Sequence, residues 1–221
     1  MVGALKKSDI TRQKILTAAE AEFSEIGLYG ARVDSIAQRA GVNKRMIYAH
    51  FGSKEQLYIT VLTMVYNRMA LADEQLFESH LSPADTVRRI IDMYFHFLME
   101  NPTFVRMLMW ENLNQAQYIK ASGAALSKGR SLKMLSDTLI LGIQNGTFRS
   151  DLDVENAVLS INMFCFSYFS NIHNMSHLLQ RDLISASAVM HYADYVTDMV
   201  LEYLTTPTCT MFARCTQKPS S

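Results

Sequence analysis

The fold turns on one stretch, Ile36-Ala37-Gln38-Arg39-Ala40-Gly41-Val42-Asn43-Lys44-Arg45-Met46-Ile47-Tyr48-Ala49-His50-Phe51-Gly52-Ser53-Lys54-Glu55-Gln56-Leu57. Gly41 and Gly52 cut it into two short apolar-periodic segments and the start of a longer one. Ile36, Ala37 and Ala40 share one helix face, and Ile47 and Phe51 stack one turn apart. Asn43 stands where a helix over 44–50 needs its N-cap, and Ser53 where a longer helix starts at Lys54. Helices this short are unstable alone, so both must pack on a neighbour. The preceding segment, 9–26, supplies it. Ile15, Leu16, Ala19, Phe23 and Ile26 recur at helical spacing as its inward face, Ser8 is placed to cap it, and Gly27 ends it. Residues 28–31 read as a turn into a short helix over 32–40. A long helix carrying two short ones joined by a glycine turn is a helix-turn-helix.

Around this unit the composition points to an all-α protein. The 221 residues contain only nine Gly and four Pro, too few turn punctuators for a sandwich or barrel. Hydrophobic residues make up 49% and charged residues 19%, which excludes disorder over most of the length. The apolar runs are short, as at Met163 to Phe166, so no spanning helix is expected, and the first eight residues lack a signal-peptide core. Cys165, Cys209 and Cys215 lack C-x-x-C spacing, which favours a reducing cytoplasm over a disulfide framework. Net charge is zero, yet residues 1–55 hold nine Lys/Arg against six Asp/Glu, and residues 56–221 hold twelve against fifteen. A basic N-terminal unit on an acidic body fits a nucleic-acid partner.

The segments Thr11-Arg12-Gln13-Lys14-Ile15-Leu16, Ile36 to Lys44 and Ile47 to Leu57 together resemble the DNA-binding domain of the tetracycline-repressor-like (TetR) family. The carrying motif is I-A-x-x-A-G-V, then a Tyr, then F-x-S-K-E-x-L. The resemblance implies a homodimer in which a three-helix DNA-binding domain (1–53) precedes a helical regulatory and dimerisation domain (54–205); residues 206–221 lose periodicity and gain small polar residues, and read as a frayed tail. It implies a small-molecule effector and dimerisation through the last two helices. Two positions depart from the family pattern. Ala31 and Arg32 stand where a hydroxyl residue commonly caps the second helix, and Asn43 stands where Ser is common.

With Ile47 pointing inward, Arg45 and Ala49 point almost directly outward, flanked by Met46 and Tyr48. A guanidinium can donate twice to guanine O6 and N7, and a small Ala lets the helix approach the groove. Lys44 and His50 lie at the two ends of this helix, within reach of phosphates. The resemblance places Tyr48, His50 and Lys54 at positions that often meet the backbone, and Lys54 also sits in a helix first turn. Arg32 and Asn43, at the two helix starts, complete the expected DNA-binding set. Two-fold symmetric reading of duplex DNA requires a dimer on a palindromic operator.

Beyond Leu57 the pattern predicts helices over 54–80, 84–100, 102–116, 120–145, 153–177 and 184–205. Pro83 and Pro102 sit near helix starts, and Gly146 marks the loop before the penultimate helix. Apolar walls with a few polar groups suggest an effector pocket lined by Tyr94, Phe97, Met107, Trp110, Asn114, Tyr118, Ser167 and Asn171. Val189, Tyr192, Val196, Met199 and Tyr203 step by three and four and read as a dimer seam. The helix before it carries no charge from Asn156 to Gln180, which suits a helix at both pocket and interface. His173 and His177 have the spacing of paired metal ligands, but no thiol or carboxylate near them in sequence completes a site. No metal or other cofactor is therefore expected. No phosphate-loop, nucleophile-elbow or dinucleotide motif supports an enzyme. These features describe a cytoplasmic, ligand-relieved homodimeric repressor. The alternative is a helical dimeric interaction or ligand-binding protein with little DNA affinity.

Overall fold

The computed structural model describes residues 7–74, 81–121 and 130–206. Among the described residues there are ten α-helices and no strand. They are α1 (Lys7–Gly30), α2 (Val33–Ala40), α3 (Lys44–Phe51), α4 (Lys54–Glu74), α5 (Pro83–Glu100), α6 (Pro102–Leu113), α7 (Gln117–Ala121), α8 (Arg130–Gln144), α9 (Val154–Leu178) and α10 (Ala186–Thr205). Contacts group them into two compact units, α1–α4 with α6 and α7, and α5 with α8–α10. The expected domain boundary at residue 53 falls inside the first unit, because α4, α6 and α7 pack with the helix-turn-helix. The expected tail beyond Thr206 lies outside the described residues.

In the first unit, α1 buries Ile15, Leu16, Ala19 and Phe23 as its periodicity dictates. Two details differ from expectation. The helix is already under way at Lys7, so Ser8 is not its cap. Ile26 is 44% exposed because the chain bends at Gly27, and Leu28 is buried instead. Gly27 has φ +69° and ψ 176°, a region open essentially to glycine alone. Residues 28–30 add a helical turn beyond the bend.

The short helices depend on tertiary burial. Val33, Ile36, Ala37 and Ala40 of α2 and Ile47 and Phe51 of α3 are buried. Gly41 takes the left-handed conformation (φ +65°) that ends α2. The Asn43 Oδ1 accepts the Arg45 N–H at 2.9 Å and starts α3. The Ser53 hydroxyl oxygen accepts the Gln56 N–H at 3.1 Å in the first turn of α4.

Helices α4 and α6 complete this unit. Tyr58 of α4 meets Phe23 edge-on at 5.1 Å. Trp110 of α6 lies against Gly27 and donates from its indole nitrogen to the Ser24 carbonyl at 3.3 Å. Helix α6 stops at Leu113, short of the expected 116, since Gln115 and Ala116 both have positive φ. The buried Glu111 carboxylate makes that reversal possible. Its Oε1 accepts the N–H groups of Tyr118 (2.8 Å) and Ile119 (3.0 Å) at the start of α7, and its Oε2 accepts the Tyr58 hydroxyl at 3.3 Å. Three donors satisfy a carboxylate that burial would otherwise penalise. Of the helix expected over 120–145, residues 120–121 fall in α7 and 130–144 in α8, and residues 122–129 lie outside the described ones.

A second buried acid ties α1 to α4 and α6. Arg68 donates bidentately to Glu20 at 3.0 and 2.8 Å, and the Thr103 hydroxyl donates to the same carboxylate. Burial raises the Glu20 carboxyl, but the bonds from Arg68 and Thr103 outweigh it and hold the group below its ordinary 4.5. A depressed acid contributes stability above its unfolded pKa and loses that contribution as pH falls through the folded value. Glu20→Gln should therefore flatten the acid limb of the stability curve. Urea midpoints at pH 7 and pH 4 check this. An equal loss in mutant and parent would show that the acid limb arises elsewhere.

In the second unit, α5 turns Val87, Ile90, Ile91, Phe95 and Leu98 inward. Ala157, Ile161 and Cys165 of α9 and Val189, Ala193, Val196, Val200 and Leu204 of α10 are buried in the same unit. Phe95 meets Tyr168 and Tyr192 at 5.9 and 6.1 Å, and those two tyrosines stack at 4.6 Å. Asp153 caps α9, accepting the Asn156 N–H at 3.0 Å. The expected dimer seam is thereby corrected in part. Val189 and Val196 are 1% and 0% exposed, so they fill the protein's own core and have no surface left for a partner. Tyr192 is half-buried among aromatic rings, while Met199 and Tyr203 are exposed. The seam spacing was shared by two faces: the valines belong to the inner one.

Candidate nucleic-acid interface

Helix α3 is held from one side only. Ile47 is fully buried, Phe51 nearly so, and the Arg12 guanidinium lies over the Phe51 ring at 5.3 Å. The opposite side presents Arg45, Met46, Tyr48 and Ala49, all exposed. A helix fixed by its back, with a cation, an aromatic and a small residue on its free face, is what entry into a major groove requires. Lys44 and Asn43 are exposed at its start and His50 is half-buried at its end.

Three of the expected side chains already have protein partners: Asn43, which caps α3, and the two lysines, Lys44 and Lys54. The Lys44 ammonium donates to Asp34 at 2.9 Å, which keeps the amine above its ordinary lysine value. Lys54 is half-buried and donates to the Ala31 carbonyl at 3.2 Å, at the corner between α1 and α2. Arg32 is exposed and precedes the first residue of α2 without a side-chain cap bond, as its residue type dictates. Sequence reasoning missed what replaces that cap. The nearly buried Glu22 of α1 accepts the Arg32 N–H at 3.4 Å and the Ser35 hydroxyl at 2.7 Å, and pairs with the Arg39 Nε at 3.3 Å. No local signal marked it, because Glu22 lies thirteen residues before Ser35.

The expected effector residues are divided between the two units. Met107, Trp110, Asn114 and Tyr118 belong to the first unit, and Tyr94, Phe97, Ser167 and Asn171 to the second. Trp110 is committed to Gly27 and Ser24, and the Asn114 N–H bonds the Trp110 carbonyl at the end of α6. Met107 and Tyr118 are core, and the Tyr118 hydroxyl meets that of Tyr29 at 3.1 Å. Tyr94 and Phe97 are buried on α5. Ser167 and Asn171 are instead exposed on α9, where the Asn171 amide donates to the Ser167 carbonyl at 3.1 Å. They were expected inside because α9 is uncharged, but its uncharged face looks outward. His173 and His177 are exposed on the same helix, and among the described residues no cluster of three metal-capable side chains occurs. Among the described residues no helix is long and apolar enough to cross a membrane.

An all-helical chain with α2 and α3 joined through a left-handed glycine, and α3 exposing a cationic face, defines a helix-turn-helix DNA-binding protein. Comparison with known proteins agrees. Residues 15–61 match the family described as bacterial regulatory proteins, tetR family, and residues 83–200 match the tetracyclin repressor-like C-terminal domain. The transcriptional repressor NicS of Pseudomonas putida is 34% identical over 201 residues, 90% of this chain and 94% of NicS. The transcriptional regulator RutR of Escherichia coli is 32% identical over 102 residues, 46% of this chain and 48% of RutR. The solved structure of regulator SCO4942 from Streptomyces coelicolor has a TM-score of 0.67 at 25% identity, covering 89% of this chain and 99% of that one. FadR of Bacillus subtilis, solved with stearoyl-CoA, shares the fold with a TM-score of 0.67 at 22% identity, covering 87% and 99%. The chain belongs to the tetR family of bacterial regulatory proteins and is a DNA-binding transcriptional regulator.

Proposed function

We propose that the chain is a homodimeric repressor that reads a palindromic operator through α3 and leaves it when a small-molecule effector binds. The observation that carries the reading is the one-sided anchoring of α3, which buries Ile47 and Phe51 and frees Arg45, Met46, Tyr48 and Ala49. The effector acts by population shift, favouring a dimer whose two α3 helices no longer match adjacent half-sites. Its binding residues are sought first around Tyr94 and Phe97 of the second unit. The protein works in the cytoplasm, where its duplex partner is, and the reading assigns it no reaction, cofactor or membrane.

The second copy is placed on the outer faces of α9 and α10. Leu159 and Met163 are about half exposed, as are Tyr195 and Tyr203 of α10. An apolar groove of about 230 Å³, lined by Ala157, Ser160, Phe164, Met199 and Tyr203, runs between the two helices. Exposed apolar area of this kind beside an uncharged helix favours burial by a partner.

Arg45 supplies the test of the reading. Arg45→Ala should cost about 1–3 kcal/mol of operator affinity and relax preference at one base pair in each half-site. Selection of bound sequences from a random duplex pool, run on mutant and parent, measures both. Recovery of the same sequence preference at the same affinity would remove Arg45 from the reading face.

A further inference from the structure

We propose that Glu22 positions the DNA-reading unit by closing a capping box across two helices. The inference rests on the reading of α2 and α3 as the DNA-binding pair.

A helix N-terminus leaves backbone N–H groups without partners. The usual local remedy is a hydroxyl at the N-cap and a Glu or Gln at N3 that reaches back to the N-cap N–H. Helix α2 has neither, since Arg32 stands at the N-cap and Ser35 at N3. The missing carboxylate comes from α1. Glu22 accepts the N-cap N–H of Arg32 through Oε1 and the hydroxyl of the N3 residue, Ser35, through Oε2. The first is the contact a local N3 glutamate would make, supplied here from another helix, and the second ties that carboxylate to the N3 residue itself.

Glu22 is 3% exposed, and its carboxylate would be costly there without compensation. Arg39, one turn beyond Ser35, supplies it through Nε while its terminal nitrogens bond Glu25 bidentately at 3.3 and 2.8 Å. Two glutamates of α1 thus hold α2 at its start and its last turn. Burial of Val33, Ile36, Ala37 and Ala40 fixes which face of α2 turns inward. Non-directional apolar contacts leave its position along α1 loosely defined, and directional bonds to Glu22 set it. Helix α3 follows after a three-residue turn, so any slide of α2 is passed to Arg45. Glu22 touches no DNA in this arrangement. It is a positioning residue.

The test exploits the interchangeability of the two carboxylates. Glu22→Met keeps the length but removes both acceptor oxygens. It should weaken binding about tenfold. The probe is a duplex selected from a random pool with the parent protein. The salt slope should not change, since no phosphate contact is lost. Ser35→Glu alone sets a second carboxylate against Glu22 and should also weaken binding. The double variant restores a single carboxylate in a local capping box and should bind within about threefold of the parent. Amide hydrogen exchange of the free full-length protein should show protection at the Arg32 amide lost in Glu22→Met and regained in the double variant, which tests the capping box even if no duplex is selected. If Glu22→Met fails to fold, the double variant should fold and bind. A double variant as weak as the product of the two single effects, or an Arg32 amide indifferent to both changes, overturns the proposal.

Discussion

Gly27→Val should destabilise the protein by several kcal/mol. Two penalties combine. The backbone at Gly27 has φ +69° and ψ 176°, where a side chain costs on the order of 1–3 kcal/mol. A Cβ built there would also lie 2.8 Å from two carbons of the Trp110 indole. That contact is closer than real Cβ atoms make, and overpacking of this kind costs roughly 1–3 kcal/mol more. The indole has little room to retreat, since its nitrogen bonds the Ser24 carbonyl. Denaturant midpoints followed by circular dichroism give the loss. Coupling to Trp110 gives the cause: with Trp110→Ala the steric part should vanish and the conformational part persist, so the double variant should lose less than the sum of the singles. A Gly27→Val protein that unfolds at the parent midpoint would mean the bend at Gly27 is free to relax.

The second large effect concerns assembly. Met163→Arg puts a guanidinium at the centre of the outer α9 face, in a stretch with no native charge from Asn156 to Gln180. Met163 is 48% exposed in the protomer, so the substitution should leave the protomer core intact. At a dimer interface it would bury an unpaired charge, at a cost of several kcal/mol. Sedimentation should then show monomers, and affinity for a palindromic duplex should fall by about two orders of magnitude or more, as the second half-site no longer binds as part of one molecule. The contrasting variant is Val196→Arg. Because Val196 is fully buried within the protomer, it should unfold the second unit rather than simply separate two copies. A Met163→Arg dimer with undiminished operator affinity would move the interface to another surface.

These cases show which features a sequence exposes. Helix-turn-helix geometry was legible because it is local. Gly41, Asn43, Gly52 and Ser53 act on residues within four positions of themselves, and burial of Ile47 and Phe51 follows from spacing alone. What lay hidden depends on which of several apolar faces turns inward. The series from Val189 to Tyr203 mixes core valines with exposed Met199 and Tyr203, and a spacing of three and four fits both. Likewise the uncharged character of α9 announced that its faces are covered, without saying that Ser167 and Asn171 lie on the outer one. Long-range polar contacts left no trace at all. Glu20, Glu22 and Glu111 look like ordinary helix glutamates, and only the fold brings them to Arg68, Arg32 and Tyr58. Trp110 reads as a pocket wall because it is the sole Trp and sits in an apolar run ending in Glu111-Asn112, whereas the structure sets it against a glycine with no side chain to advertise the contact.

The placement of Trp110 gives the protein an internal optical probe. It is the sole tryptophan of the chain, and its indole is wedged between α6 and the bend of α1. Indole emission responds to the polarity around the ring and to the hydrogen bond at its nitrogen. A change in emission on adding an effector would therefore originate in the unit that reads DNA, whatever part of the chain the effector occupies. Unlabelled protein thus carries a spectroscopic signal for the step that matters to an operator, separate from the step that captures the small molecule.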